Sequence, residues 1–283
     1  MQVFDTVSGL RTFLAAHRAA SKRIGLVPTM GYLHAGHLSL VQAAQHECDI
    51  VVMSIFVNPT QFGPQEDFAT YPRDMAGDLH QARAAGVDAV FAPTVAEMYP
   101  PGFLTEVSVH ELTTPLCGAA RPGHFNGVTT VVAKLLNIVG PDRAYFGQKD
   151  YQQVTVIRKM VTDLHMPLEV ITCPTVRESD GLALSSRNAY LNPAERQAAL
   201  ILWRALCLAE QHLAQGERQG ACLAAMLRDC IAQEPLARID YVAVADPDTL
   251  REVERLSGTV LVALAVYIGK TRLIDNALYS VGA

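Results

Sequence analysis

The stretch Val27-Pro28-Thr29-Met30-Gly31-Tyr32-Leu33-His34-Ala35-Gly36-His37 sets two imidazoles three residues apart, directly after a short apolar run and ahead of a helical pattern. Both rings therefore belong at a helix N-terminus. Its unpaired N–H groups and partial positive charge attract phosphate. A neutral imidazole donates a hydrogen bond to a phosphate oxygen, and a protonated one also offsets charge that develops there. Gly31 and Gly36 let a ligand come close to the backbone. A zinc pair is the weaker reading, because no third ligand lies near in sequence. The chain has no GxGxxG and no GxxxxGK[ST], so dinucleotide-dehydrogenase and P-loop chemistries lose their main support.

Four other stretches carry polar groups suited to ligands. In Val176 to Asn188, Asp180-Gly181 is a turn signal, Ser185 and Ser186 offer hydroxyls, and Arg187 offers a planar fork for phosphate oxygens. Asn58 and Gln61 leave the end of a strand as uncharged, two-sided hydrogen-bonders, with Phe62 and Tyr71 able to wall an apolar pocket. Arg121 and His124 precede a helix and could meet a carboxylate. Phe146 to Gln153 again ends a strand and opens a helix. There Lys149 is a point charge for phosphate, Asp150 caps the helix or reaches a ribose, and Gln153 faces the crevice. Asp78 and Gln81 share one helix face. A solvated face is the default for them, and a Mg²⁺ site the weak alternative.

These residues need a frame, and hydropathy supplies one. Strands are expected at Arg23–Val27, Asp49–Val57, Asp88–Phe91, Ala144–Phe146 and Leu168–Thr172. Helices are expected at Gly36–His46, Asp74–Ala85, Val128–Val139 and Tyr151–Leu164. The Asp49–Val57 run is β-branched and almost continuously apolar, as in a strand covered on both faces. Strand–helix alternation implies a doubly wound, Rossmann-like α/β domain with ligands at the strand ends. After about Thr175 the pattern changes. One helix runs from Asn192-Pro193-Ala194-Glu195 to about Gln215 and a second over Gly220–Gln233. Strands follow at Asp240–Val244, Thr259–Ile268 and Arg272–Ile274. The expected division is residues 1–175 and a smaller α+β lid of residues 176–283 that carries the SSR loop.

Composition narrows the field further. The 283 residues are 50% hydrophobic with a formal net charge of −5, which rules out global disorder and argues against an electrostatic nucleic-acid binder. The longest apolar run, Val260–Ile268, falls short of the roughly 20 residues of a membrane span. No basic-then-apolar leader is present, and six scattered cysteines without CxxC read as reduced thiols in the cytoplasm.

The HxGH string after the first strand resembles the nucleotidyltransferase superfamily, whose members attack the α-phosphate of ATP and carry a second basic motif on a loop. VPTMGYLHAGH, SIFVNPTQF, YPRD, RPGHFNGV, YFGQKDYQQ, DGLALSSRN and RLIDN, in order from residue 27 to 276, resemble one family in particular, the pantothenate synthetases or pantoate–β-alanine ligases. The resemblance implies that ATP and pantoate, with Mg²⁺, give pantoyl adenylate and pyrophosphate. The amine of β-alanine then releases AMP. It also implies a cytoplasmic homodimer acting on small molecules, with no nucleic acid and no membrane. By matching positions, Pro28, Met30, Gly31, Tyr32, Leu33, His34, Ala35, Gly36 and His37 line the nucleotide site, with His37 as proton donor. Gly147, Gln148, Lys149, Asp150, Val176, Leu184, Ser185, Ser186 and Arg187 complete it, with Lys149 and Arg187 joining the histidines on the triphosphate. Asn58, Gln61 and Gln153 attend pantoate, and Arg121 and His124 receive β-alanine. Gln148 stands where family members carry Glu, and Gly77 stands where some offer a second carboxylate beside Asp78. The rivals are an adenylyltransferase with a phosphate-bearing acceptor, a tRNA synthetase, and a nucleotide-binding regulator without turnover. The neutral amides, the net charge and the intact motifs respectively count against them.

Overall fold

The computed structural model describes residues 1–64 and 66–282. In chain order the elements are β1 Gln2–Phe4, α1 Val7–Ala19, β2 Ile24–Thr29, α2 Ala35–Glu47, β3 Ile50–Ile55, α3 Met75–Ala84, β4 Ala89–Phe91 and α4 Val95–Met98. They continue with α5 Cys117–Ala120, α6 His124–Val139, β5 Arg143–Gly147, α7 Tyr151–Asp163, β6 Glu169–Cys173, α8 Pro193–Ala198, α9 Leu200–Ala214 and α10 Gly220–Ala232. The last three are β7 Ala237–Ala245, β8 Gly258–Ile268 and β9 Thr271–Val281. The chain forms two compact units: Met1–Thr113 with Arg121–Gln148 and Gln153–Pro174, and Thr114–Ala120 with Lys149–Gln152 and Thr175–Ala283.

The first unit is Rossmann-like: a six-stranded parallel sheet ordered β1-β4-β3-β2-β5-β6. Every residue of β3 is buried, as expected of a strand covered on both faces. Val27, Val41, Val51, Met53, Ile55, Val90 and Tyr145 belong to one apolar cluster of this unit. Strand order reverses at β2, which has β3 on one side and β5 on the other. That is the topological switch point, where doubly wound sheets leave a crevice beyond the carboxyl ends of the strands. The loop after β2 carries Met30 to His34, and β5 ends at Gly147.

The second unit packs α9 and α10 on a three-stranded antiparallel sheet ordered β7-β8-β9. The sequence reads one helix from residue 192, but the structure turns at Ala199 and begins α9 at Leu200. The reading of β9 as a short strand is also too brief: it spans 11 residues and pairs with β8 along its length. Two short excursions join this unit. Gln152 accepts the Cys117 N–H and donates to the Pro115 carbonyl, and Asn276 donates to the carbonyl of Lys149. Lys149 and Asp150 are thus held with the C-terminal half, although the sequence reads them in the first 175 residues.

Candidate active site

The β2–α2 turn in the first unit is built from backbone constraints upward. Gly31 has φ 83° and Tyr32 φ 52°, two consecutive left-handed residues, the second not glycine. Thr29 Oγ1 donates to the Ser54 carbonyl at 2.7 Å and accepts the Gly31 N–H at 3.2 Å, fixing the exit from the strand. The N–H groups of Tyr32 and Leu33 donate to the two oxygens of Asp78 at 2.8 and 2.7 Å. Gln81 donates to the Leu33 carbonyl at 3.3 Å.

His34 is the N-cap of α2, and its Nδ1 accepts the Gly36 N–H at 3.1 Å. His37 reciprocates: its Nδ1 accepts the His34 N–H at 3.3 Å. This is a capping box made of two imidazoles, with ring centroids 4.0 Å apart. Because each Nδ1 accepts, the proton of each neutral ring sits on Nε2, the nitrogen that can donate to an anion. No acidic residue occupies the first turn of α2 itself, so the helix supplies no carboxylate of its own to its dipole.

A second cluster of this unit lies around the residues after β3. Asn58 is 1% exposed and its amide is spent inside the protein. Its oxygen accepts from Tyr99 Oη at 2.8 Å and Thr60 Oγ1 at 3.0 Å. Its nitrogen donates to the Gly127 carbonyl at 3.1 Å and Gln61 Oε1 at 3.2 Å. The expectation that Asn58 offers hydrogen bonds to a ligand is corrected: it fixes the Gln61 amide instead. Phe62 packs edge-on against Tyr71, with centroids 5.8 Å apart, and at a tilt against Phe68.

Arg121 does meet a carboxylate, but the chain's own. Its Nε and Nη2 each reach Glu66 at 2.6 Å, and Nη1 lies 3.0 Å from His124 Nε2. His124 Nδ1 donates to the Gln61 carbonyl at 2.8 Å, which leaves Nε2 as acceptor for Arg121. Burial pulls the Glu66 carboxyl upward. The bonds and charge of Arg121, the Gly63 N–H and nearby His124 outweigh that and hold it at about 2. No spacing argument pointed to Glu66. Gly147 ends β5 with no atom within 4 Å of where a Cβ would stand, so a ligand can approach its backbone. Gln148 begins a 3-10 turn, and Gln153 lies half-buried on α7.

In the second unit Val176 to Arg187 forms a tight hairpin and a cap. Arg177 bridges Ala183, Gly181 N–H donates to the Glu178 carbonyl at 2.9 Å, and Leu184 N–H donates to the Val176 carbonyl at 3.0 Å. Gly181 has φ 99°, and a Cβ there would fall on the Trp203 ring, so only glycine fits. Arg177 forks onto Asp275 at 2.6 and 2.9 Å and lies over Trp203, with Asp275 3% exposed. Ser185 caps the 3-10 turn Ser186–Tyr190 by accepting the Arg187 N–H at 3.3 Å. Ser186 is buried and Arg187 half-buried. Lys149 is half-buried and Asp150 exposed. Asp275 and Asn276 were legible only as part of the RLIDN string, with no role attached.

Both readings of Asp78 and Gln81 need correction. The face is not simply solvated, since Asp78 is 2% exposed and Gln81 half-buried. Nor does it fit Mg²⁺: at 2% exposure, with an N–H on each oxygen, the Asp78 carboxylate has no face open to a hydrated cation, and position 77 supplies no second carboxylate. Among the described residues no group of three or more His, Cys, Asp or Glu side chains could hold a metal ion.

The model of the family described as Pantoate-beta-alanine ligase matches residues 2–278. The chain belongs to the pantoate–β-alanine ligase family. It is 60% identical over 281 residues to a pantothenate synthetase of Moorella thermoacetica, covering 99% of both chains. It is 57% identical to one of Acetivibrio thermocellus, covering 99% of this chain and 100% of the relative. Among solved structures it is similar to pantothenate synthetase from Thermus thermophilus, with a TM-score of 0.92, 48% identity, and 98% and 99% of the two chains covered. It also resembles the pantoate–β-alanine ligase of Francisella tularensis complexed with β,γ-ATP and β-alanine. There the TM-score is 0.79, identity 35%, and coverage 98% and 97%. Among the described residues no helix is long and apolar enough to cross a membrane.

Proposed function

We propose that this ligase joins pantoate to β-alanine through pantoyl adenylate. A carboxylate oxygen of pantoate attacks the α-phosphorus of ATP and pyrophosphate leaves. The β-alanine amine then attacks the adenylate's carbonyl carbon. AMP leaves with the bonding electrons, the amine nitrogen loses a proton, and an amide forms. The histidine cap of α2 carries this reading: two Nε2–H groups are presented at a helix N-terminus, at the switch point of a parallel sheet.

The individual roles are those that the family resemblance implies, and the chemistry of the side chains supports them. His34 and His37 donate to phosphate oxygens, and His37 supplies a proton as charge builds on the leaving group. Pro28, Met30, Gly31, Tyr32, Leu33, Ala35, Gly36, Gly147 and Gln148 frame the nucleotide. In the second unit Lys149 and Arg187 supply positive charge and Ser185 and Ser186 hydroxyls, while Asp150, Val176 and Leu184 complete the nucleotide contacts. Gln61, held by Asn58, and Gln153 bind the neutral hydroxyls of pantoate. Arg121 and His124 receive the β-alanine carboxylate after exchange with Glu66. Mg²⁺ arrives as MgATP, held by the substrate's own phosphates. A cytoplasmic homodimer belongs to the same proposal.

The deciding assay is release of AMP and pyrophosphate from ATP plus pantoate, with AMP dependent on β-alanine. His37→Ala should slow single-turnover adenylation by roughly 100- to 1000-fold, the cost of one lost transition-state donor, while the protein stays folded. Near-wild-type adenylation in that variant would refute the role of His37.

A further inference from the structure

We propose that Asp78 is a positioning residue for adenylation: an internal anion that sets the backbone from which both imidazoles are aimed. The inference rests on the reading that His34 and His37 act on the nucleotide. Successive N–H groups that converge at left-handed backbone form a cradle that in other proteins holds a bound anion. Here the cradle at Tyr32 and Leu33 is filled by the chain's own carboxylate, one oxygen to each N–H. The fit is close, since a Cβ on Gly31 would stand 2.7 Å from Asp78 Oδ2.

The need for a carboxylate follows from the donors. Both partners are N–H groups, so two acceptor oxygens on one side chain are required, and at 2% exposure no water substitutes. Left-handed φ at Tyr32, a residue with a Cβ, is strained and persists only where its surroundings impose it. Gln81, one turn along the same helix, grips the Leu33 carbonyl from the other side of that residue. The effect passes along the chain. Leu33 precedes His34, whose N–H is the partner of His37 Nδ1. A rotated Leu33 peptide would therefore tilt His34 and break the bond that orients His37. Asp78 touches no substrate in this account; it acts through the two rings.

The test uses the full-length protein and measures pyrophosphate from ATP plus pantoate in single turnover. Asp78→Asn turns one acceptor into an NH₂ that faces a backbone N–H. Adenylation should fall roughly 100-fold, the cost of misplacing reacting groups by about an ångström. The KM for pantoate and the Mg²⁺ concentration for half-activation should hold within about twofold. The ring ¹⁵N signals of His34 and His37 should move. Gln81→Ala, which buries no unpaired charge, should show the same pattern at smaller amplitude and serves if Asp78→Asn does not fold. Unchanged adenylation and ring signals would overturn the proposal. So would recovery at high Mg²⁺, which would make Asp78 a metal ligand, or a parallel shift of every KM. If His37→Ala is slow while both α3 variants behave as wild type, only the Asp78 inference fails; if His37→Ala is normal, the histidine reading itself fails.

Discussion

Asn276 on β9 donates through Nδ2 to the backbone carbonyl of Lys149 at 2.8 Å, so a buried strand amide fixes the peptide that carries a candidate phosphate-binding ammonium. Its neighbour Asp275 forks onto Arg177 at the base of the SSR hairpin. One dipeptide thereby anchors two basic elements of the second unit. Asn276→Ala should leave the Lys149 carbonyl unpaired, lowering unfolding stability by about 1–3 kcal/mol. It should also slow adenylation roughly 10- to 100-fold, because Lys149 loses its aim. Urea denaturation and pyrophosphate release measure the two effects separately.

Why does the sequence give this dipeptide no role while it gives the histidine pair one? His34 and His37 are three residues apart and act within one helical turn, so spacing alone places them together. The buried Ile50–Ile55 strand is legible for the same local reason. Asn276 works on a residue 127 positions away, and Asp78 on residues 46 and 45 positions away. Nothing local to α3 distinguishes a buried carboxylate from a solvated one. β9 is truncated in the reading because Asp275 and Asn276, both buried, interrupt its apolar pattern. Asn58 misleads in the opposite sense: its position at a strand end is that of a ligand group, but Tyr99 and Gly127, which consume it, are remote in sequence. Glu66 gives no signal until the fold brings it to Arg121.

On the proposed role of His37 its two nitrogens have separable jobs, Nδ1 on the cap and Nε2 on the phosphate, and two amide substitutions split them. Asn places an oxygen near Nδ1, so His37→Asn should keep the cap on the His34 N–H and most of the stability. Gln places its amide near Nε2, so His37→Gln should retain more adenylation while losing about 0.5–2 kcal/mol of helix capping. Thermal melts and single-turnover rates should rank the two variants in opposite order. The same ranking in both assays would mean that Nδ1 and Nε2 do not divide the work this way.

Gly127 is fixed by contact, since it lies in α6 with ordinary helical neighbours on either side. A Cβ there would fall on the carbonyl of Thr60, in the turn that carries Gln61. Backbone cannot move aside as a flexible side chain can, so Gly127→Ala should destabilise the first unit by about 1–3 kcal/mol. It should also raise the KM for pantoate, because Gln61 shifts with Thr60. A change in pantoate KM without one for ATP would place the damage at Gln61. A stability loss with neither KM altered would separate this contact from substrate binding.

The Glu66–Arg121 pair gives a pH prediction with a definite sign. The Glu66 carboxyl is held at about 2 against an ordinary 4.5, so ionised Glu66 stabilises the folded state. That contribution is fully present above 4.5 and is lost as pH falls toward 2. Glu66→Gln should therefore unfold more readily than wild type at neutral pH, by about 1–3 kcal/mol, the cost of an unpaired partner. The gap should close on acidification through that window. Removing the carboxylate also leaves Arg121 and His124 to a carboxylate from outside, so the KM for β-alanine should fall while the KM for ATP holds. Stability curves at several pH values and initial rates with varied β-alanine check both halves. A β-alanine KM that rises in Glu66→Gln would mean that Glu66 builds the amine-substrate site rather than occupying it.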